Sequence, residues 1–152
     1  MDCLFCKIIN GEIPSSKVYE DDLCYAFLDI NPQAPVHCLV VPKMHIASAN
    51  DICDDCASVI AHIFKTIPKI ARTLSLENGY RIITNVGEDG CQSVKHLHFH
   101  ILGGKKLSEN FLMLGCKKSY EIFKVGIVEP LCRVFALAFE ELFVAKCIVN
   151  VL

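Results

Sequence analysis

At 152 residues the chain is long enough for one domain with a real core and too short for two ordinary ones. A formal charge of -2 and a pI near 6.3 supply no basic field of the kind that holds a nucleic-acid backbone, which argues against polymeric DNA or RNA as a main partner. Ten cysteines raise the question of a disulfide scaffold. The opening Met-Asp-Cys-Leu-Phe-Cys-Lys has neither the charged start nor the apolar run of a secretory signal, so reduced thiols in a cytoplasmic setting are expected.

In chain order, Lys17-Val18-Tyr19 and Leu23 to Leu28 flank the acidic turn Glu20-Asp21-Asp22 and predict a hairpin. Asp29 to Pro35, with an Asn-Pro step and two prolines, predicts a loop, and His37 to Pro42 a further strand. Between about Asp51 and Leu76, Ile52, Val59, Ile60, Ile63, Phe64, Ile67 and Ile70 recur at three and four, the period of an amphipathic helix. Pro68 is expected to kink that helix or to start a second segment. After the Asn78-Gly79 turn, Tyr80 to Asn85 is strand-like, and a Gly-rich loop, Val86 to Gln92, leads into a strand that ends at Gly103-Gly104. Strands, helix, strands is the order of an α+β domain with a largely antiparallel sheet. From about Met113 the chain turns strongly apolar, which accounts for much of its 53% hydrophobic content. Arg133, Glu140, Glu141 and Lys146 interrupt that tail. Each charge at a bilayer centre costs about 2.5–3.5 kcal/mol, so an amphipathic helix from Pro130 is expected there rather than a membrane span.

The chemistry concentrates in His96-Leu97-His98-Phe99-His100, which holds three of the six histidines. On a strand they share one face, while Leu97, Phe99 and Ile101 enter a core on the other. Burying three imidazoles together is costly unless each has a partner, so simple packing is a poor explanation. A single metal held by all three fails on geometry: same-face neighbours are about 6.5–7 Å apart and the outer pair about 13 Å, against bonds of about 2.0–2.1 Å. Covalent catalysis remains, since a neutral imidazole attacks phosphorus and then leaves, with a second histidine managing charge or a proton. The loop Asn85 to Ser93 fits that task, because glycines let backbone N–H groups close around an anion and Ser93 offers a hydroxyl.

Gln92 to Gly104 resembles the signature of the histidine-triad proteins, and its Leu-Gly-Gly ending resembles their Hint branch, the nucleoside phosphoramidases. The likeness continues through Phe5 to Pro14, Asp29 to His37 and Val41 to Ile46, and so covers roughly Met1 to Phe111. It implies an α+β histidine-triad fold over residues 1–112, with about five strands, one long and one short helix, and a homodimer with a sheet continuous across its interface. It implies His98 as nucleophile and His100 as the phosphate contact that helps proton transfer, with His37 as a fourth active-site histidine. Asn85, Gln92 and Ser93 would surround the α-phosphate and leaving group, Asp29 the ribose hydroxyls, and Phe27 and Ile30 the base. The implied activity is hydrolysis of purine nucleoside phosphoramidates or acyl-nucleotides to the monophosphate, with no organic cofactor. Dinucleoside polyphosphate hydrolysis, or AMP-type nucleotide binding with vestigial catalysis, are the alternatives.

Cys3-Leu4-Phe5-Cys6 has a spacing suited to tetrahedral zinc. Bacterial-type relatives that keep the pair use it with the counterparts of His45 and His96, which implies a structural Cys2His2 zinc here. Cys53-Asp54-Asp55-Cys56 permits a rival four-cysteine site, though two ordinary thiols at a helix start is the favoured reading. His62, Lys43 and Lys95 are given no functional role.

Two departures stand out. Cys91 occupies a position where the Hint pattern commonly has a second glycine, so a requirement there for positive φ would strain the loop or add a redox-sensitive thiol. The second is residues 113–152, where animal Hint proteins instead end in a short Trp-Pro-Pro segment. This extension would cover the pocket, remodel the dimer, or be a non-native product of a shifted reading frame.

Overall fold

The computed structural model describes residues 2–108. The expected boundary at 112/113 and the apolar extension 113–152 lie outside the described residues. Among those described, no helix is long and apolar enough to cross a membrane.

The elements run α1 (Leu4–Ile9), β1 (Lys17–Glu20), β2 (Cys24–Leu28), β3 (Val36–Pro42), α2 (Asp54–Thr73), β4 (Tyr80–Ile83) and β5 (Phe99–Gly103), with a short 3-10 turn at Ala49–Asp51. The strands form one five-stranded sheet in the order β1-β2-β3-β5-β4, every neighbouring pair antiparallel. This is the expected α+β architecture. Asp21 closes the β1–β2 hairpin, its Oδ1 accepting from the Leu23 and Cys24 N–H groups at 2.9 and 2.8 Å. Such carboxylate turns are why Asp is favoured at this position.

Alternation divides the sheet into two faces. Cys24, Ala26, Cys38, Val40, Phe99 and Ile101 meet the apolar stripe of α2 (Cys56, Val59, Ile63, Ile67, Ile70). Truncating one of these buried isoleucines to Ala would cost about 2–5 kcal/mol. α2 runs through Pro68 without a break. Because Pro68 lies on the exposed face, the backbone hydrogen bond it removes is replaced by water rather than left unmade. On the opposite face Tyr25, Phe27, Leu39 and Val41 pack beneath Phe5 and Ile8 of α1. Cross-strand register places Phe27, Leu39, His100 and Ile83 in one row across that face.

Three boundaries differ from expectation. The histidine strand begins at Phe99, so His96 and His98 precede the ladder; the His96 N–H bonds to Val94 O and the Leu97 N–H to Ile46 O instead. β4 ends at Ile83, leaving Asn85 in the loop. α1 carries no periodic signal at six residues and was not readable as a helix from spacing.

Candidate active site and metal centre

Cys3 caps α1, Cys6 sits in its first turn, His45 follows β3, and His96 lies just before β5. The bond from Leu97 N–H to Ile46 O, 2.6 Å, draws the two histidine-bearing segments together. Cys3 Sγ is 3.5 Å and Cys6 Sγ 3.6 Å from His96 Nδ1, and Cys6 Sγ is 3.3 Å from His45 Nδ1. One ligand atom from each of the four residues lies within 4.8 Å of the others. A tetrahedral ion with zinc–sulfur and zinc–nitrogen bonds of about 2.3 and 2.0–2.1 Å needs sulfur–nitrogen edges of about 3.5 Å. The three sulfur–nitrogen edges match such an ion, and the donor set of two thiols and two imidazoles suits zinc. His96 Nε2–H donates to the Pro42 carbonyl at 2.9 Å, which fixes the proton on Nε2 and turns the Nδ1 lone pair toward the thiols. The rival four-cysteine site does not assemble, because Cys53 and Cys56 belong to the start of α2 and not to this cluster.

His98 has the opposite tautomer. Its Nδ1–H donates to the His96 carbonyl at 2.6 Å, so in the neutral ring the unprotonated nitrogen is Nε2. Burial pushes its pKa below the usual histidine value, which keeps that lone pair available at neutral pH. Its ring lies 4.9 Å from that of His100, closer than the spacing of same-face residues on a straight strand.

A chain of donors sets the state of His100. The Gln33 backbone N–H can only donate, and it reaches His37 Nδ1 at 3.2 Å. The neutral His37 proton is then on Nε2, 2.8 Å from His100 Nδ1, which accepts it. His100 therefore carries its own proton on Nε2. That atom is buried and has no hydrogen-bond partner among the described residues. An unsatisfied buried donor costs roughly 1–3 kcal/mol, a cost that an acceptor such as a phosphate oxygen would remove. Burial, reinforced by repulsion from His98 and His37, lowers the His100 pKa to about 4. His37 is likewise lowered by burial, opposed by the nearby Asp29 carboxylate.

The remaining expected site residues fall into two groups. Asp29 lies beside the histidines, with Oδ2 3.6 Å from His37 Nε2, while its Oδ1 accepts from the Asn31 N–H at 2.7 Å. Ile30 next to it is 92% exposed, whereas Phe27 is buried in the α1-side core. Asn85 and Ser93 stand on the loop before β5, Ser93 exposed. No hydrogen bond joins either side chain to the histidines among the described residues. Gln92 acts as a clamp: its amide donates to Ala47 O at 2.7 Å and Val94 O at 3.0 Å, and its oxygen accepts from Gly87 N–H at 3.2 Å.

The Gly-rich loop is wound more tightly than an open anion cradle. The N–H groups of Cys91 and Gln92 bond back to Glu88 O and Gly87 O, so with Gly87 three donors are already used inside the loop. A Cβ at Gly90 would lie 2.3 Å from Val86 O, which leaves glycine as the residue that fits there. Cys91 has φ 57, the left-handed conformation that favours glycine. The strain expected of this substitution is therefore present.

Phe5 is the residue that sequence reasoning missed. It stands between the two cysteines, and its ring meets His96, His98 and Phe27 edge-on at centroid distances of 5.9, 5.2 and 5.6 Å. Its position inside the C-x-x-C was the only signal available.

An imidazole with a free ring nitrogen beside a second imidazole that presents an N–H, on one face of an antiparallel sheet, is an arrangement capable of attack on phosphorus or a similar electrophile. The HIT domain family model matches residues 10–107. An uncharacterized HIT-like protein of Synechococcus elongatus is 48% identical over 107 residues, spanning 70% of this chain and 94% of its own. Among solved structures, a histidine triad protein from Clostridium difficile is similar at 58% identity and a TM-score of 0.69, over 71% of this chain and 95% of that one. A HIT family hydrolase from Legionella pneumophila is similar at 47% identity and a TM-score of 0.69, over 72% and 98%. The chain belongs to the histidine triad family.

Proposed function

We propose that the protein hydrolyses purine nucleoside phosphoramidates or acyl-nucleotides to nucleoside monophosphates through a nucleotidyl-histidine intermediate. The observation that carries this reading is the opposite protonation of two adjacent rings: a lone pair on His98 Nε2 beside an N–H on His100 Nε2. His98 Nε2 attacks the α-phosphorus as the bond to the leaving nitrogen breaks. His100 Nε2–H keeps its proton and donates a hydrogen bond to the phosphate oxygen on which negative charge develops, while the leaving amine takes a proton from solvent relayed by the Ser93 hydroxyl on the adjacent loop. Water then attacks phosphorus, its proton returns to solvent by the same route, and the bond to His98 breaks.

In this reading Asp29 holds the ribose hydroxyls, Phe27 and Ile30 border the base, and Asn85, Gln92 and Ser93 surround the α-phosphate. Cys3, Cys6, His45 and His96 hold a structural zinc, which supplies a covalent tie between α1 and the segment before β5 and takes no part in the reaction. The chain works in the cytoplasm as a homodimer; β1 and β4 are the sheet edges at which a sheet can continue into a second copy.

The test is turnover of adenosine phosphoramidate and of a diadenosine polyphosphate by the wild type and by His98→Ala. Faster turnover of the phosphoramidate, reduced at least about a thousandfold in the variant, is expected. Preference for the polyphosphate would assign the other leaving group, and tight AMP binding without turnover would assign a binding protein.

A further inference from the structure

The second cysteine pair lies on the far side of the sheet from the histidines. Cys53 occupies the N-cap of α2 and Cys56 the third helical position, with their sulfurs 2.9 Å apart. The two thiols differ sharply in setting: Cys53 is exposed, whereas Cys56 is 2% exposed and packed into the core against the sheet. Cys56 Sγ accepts from the Cys53 N–H at 2.9 Å and lies 3.1 Å from the Cys53 carbonyl, so it is held in place behind Cys53. The Cys56 thiol beside it holds the Cys53 thiol below its usual range, and the same contact raises Cys56.

We infer that Cys53 and Cys56 form a redox-active dithiol, a site separate from the histidine cluster, that reduces small disulfides lacking net negative charge. An outer thiol that solvent can reach and an inner thiol waiting behind it are the two parts thiol–disulfide exchange requires. Cys53, as thiolate, attacks one sulfur of RS–SR, forming the mixed disulfide and releasing RS⁻. Cys56 then loses its proton and attacks Cys53 Sγ, releasing the second RS⁻ and closing the Cys53–Cys56 disulfide. The protein loses two protons and two electrons, and the small disulfide takes them up to become two thiols. Closure requires the sulfurs to approach from 2.9 Å to about 2.05 Å, a shift within the reach of side-chain rotation. Charge selects the partner: Asp51, Asp54 and Asp55 are exposed around Cys53 and repel anionic disulfides.

The full-length protein is treated with hydroxyethyl disulfide, quenched in acid at intervals, alkylated and mapped by peptide mass. Expected is a Cys53–Cys56 disulfide, preceded by a mixed disulfide on Cys53 that becomes stable in Cys56→Ser. In Cys53→Ser, Cys56 stays reduced; serine is itself a favoured N-cap, so α2 keeps its start and this variant stands if Cys56→Ser fails to fold. Cys53 should be the first thiol to react, because the Cys56 thiol beside it favours its thiolate. At low salt cystamine should outpace glutathione disulfide several-fold, with the gap narrowing as salt is added. A first bond formed elsewhere, or a wild-type mixed disulfide that never resolves, would overturn the inference.

Discussion

His96 and His98 are two residues apart, both buried, and both tied to the backbone through one ring nitrogen, yet they are set up for opposite chemistry. His96 is anchored through Nε2 to Pro42 O, so Nδ1 faces the Cys3 and Cys6 thiols. His98 is anchored through Nδ1 to the His96 carbonyl, so Nε2 is the nitrogen left for an electrophile. A backbone carbonyl on one side or the other of an imidazole decides which nitrogen is nucleophilic, and with it which partner the residue serves. Phe5 packs against both rings and is the physical seam between the two sites.

The largest effect that would sharpen this division is loss of the metal cluster. On the proposed zinc reading, Cys6→Ser should release the metal and lower unfolding stability by about 3 kcal/mol or more, because metal-binding free energy is then lost from folding. Denaturant titration with metal analysis checks both, and the folded fraction should retain a reactive His98. Full stability after complete metal loss would dissolve the contrast between the sites.

Next is pH. His37 and His100 have folded values below the unfolded histidine value near 6.5, His100 at about 4. Between those limits the unfolded chain binds protons that the folded chain does not, so stability is full above about pH 6.5 and is lost as pH falls toward about 4. Urea midpoints at pH 7.5 and pH 5 should therefore fall in that order, and His100→Gln should flatten the slope.

The smallest effect concerns the Gly-rich loop before the histidine row. Cys91→Gly should stabilise by about 1 kcal/mol, since a side chain in the left-handed region costs roughly 1–2 kcal/mol and glycine returns part of that as lost entropy. A thermal melt reads it; destabilisation would mean that the Cys91 side chain contributes contacts worth more than the strain.

The parts of this molecule readable from sequence are those with local signals. The strand-like apolar runs Leu23 to Leu28 and His37 to Pro42, and the three-four spacing from Val59 to Ile70, located β2, β3 and α2 to within a few residues. The strain at Cys91 was also readable, because one side chain in a glycine position is a local matter. What escaped depends on long-range contacts. The start of β5 at Phe99 is set by the Leu97–Ile46 bond, and the anchors Pro42 O and Gln33 N–H are backbone groups with no sequence signature. The equal spacing of the histidines suggested a single straight strand; the departure of His96 from the ladder is what lets it turn to the cysteines.

Rapid-quench mass spectrometry with adenosine phosphoramidate, followed by peptide mapping, tests the division of the histidine row most directly. A nucleotidyl group found on His98, absent in His98→Ala, with His96 and His100 unmodified, is the predicted result. An adduct on His96 or His100, or turnover with no adduct on any histidine, would contradict it.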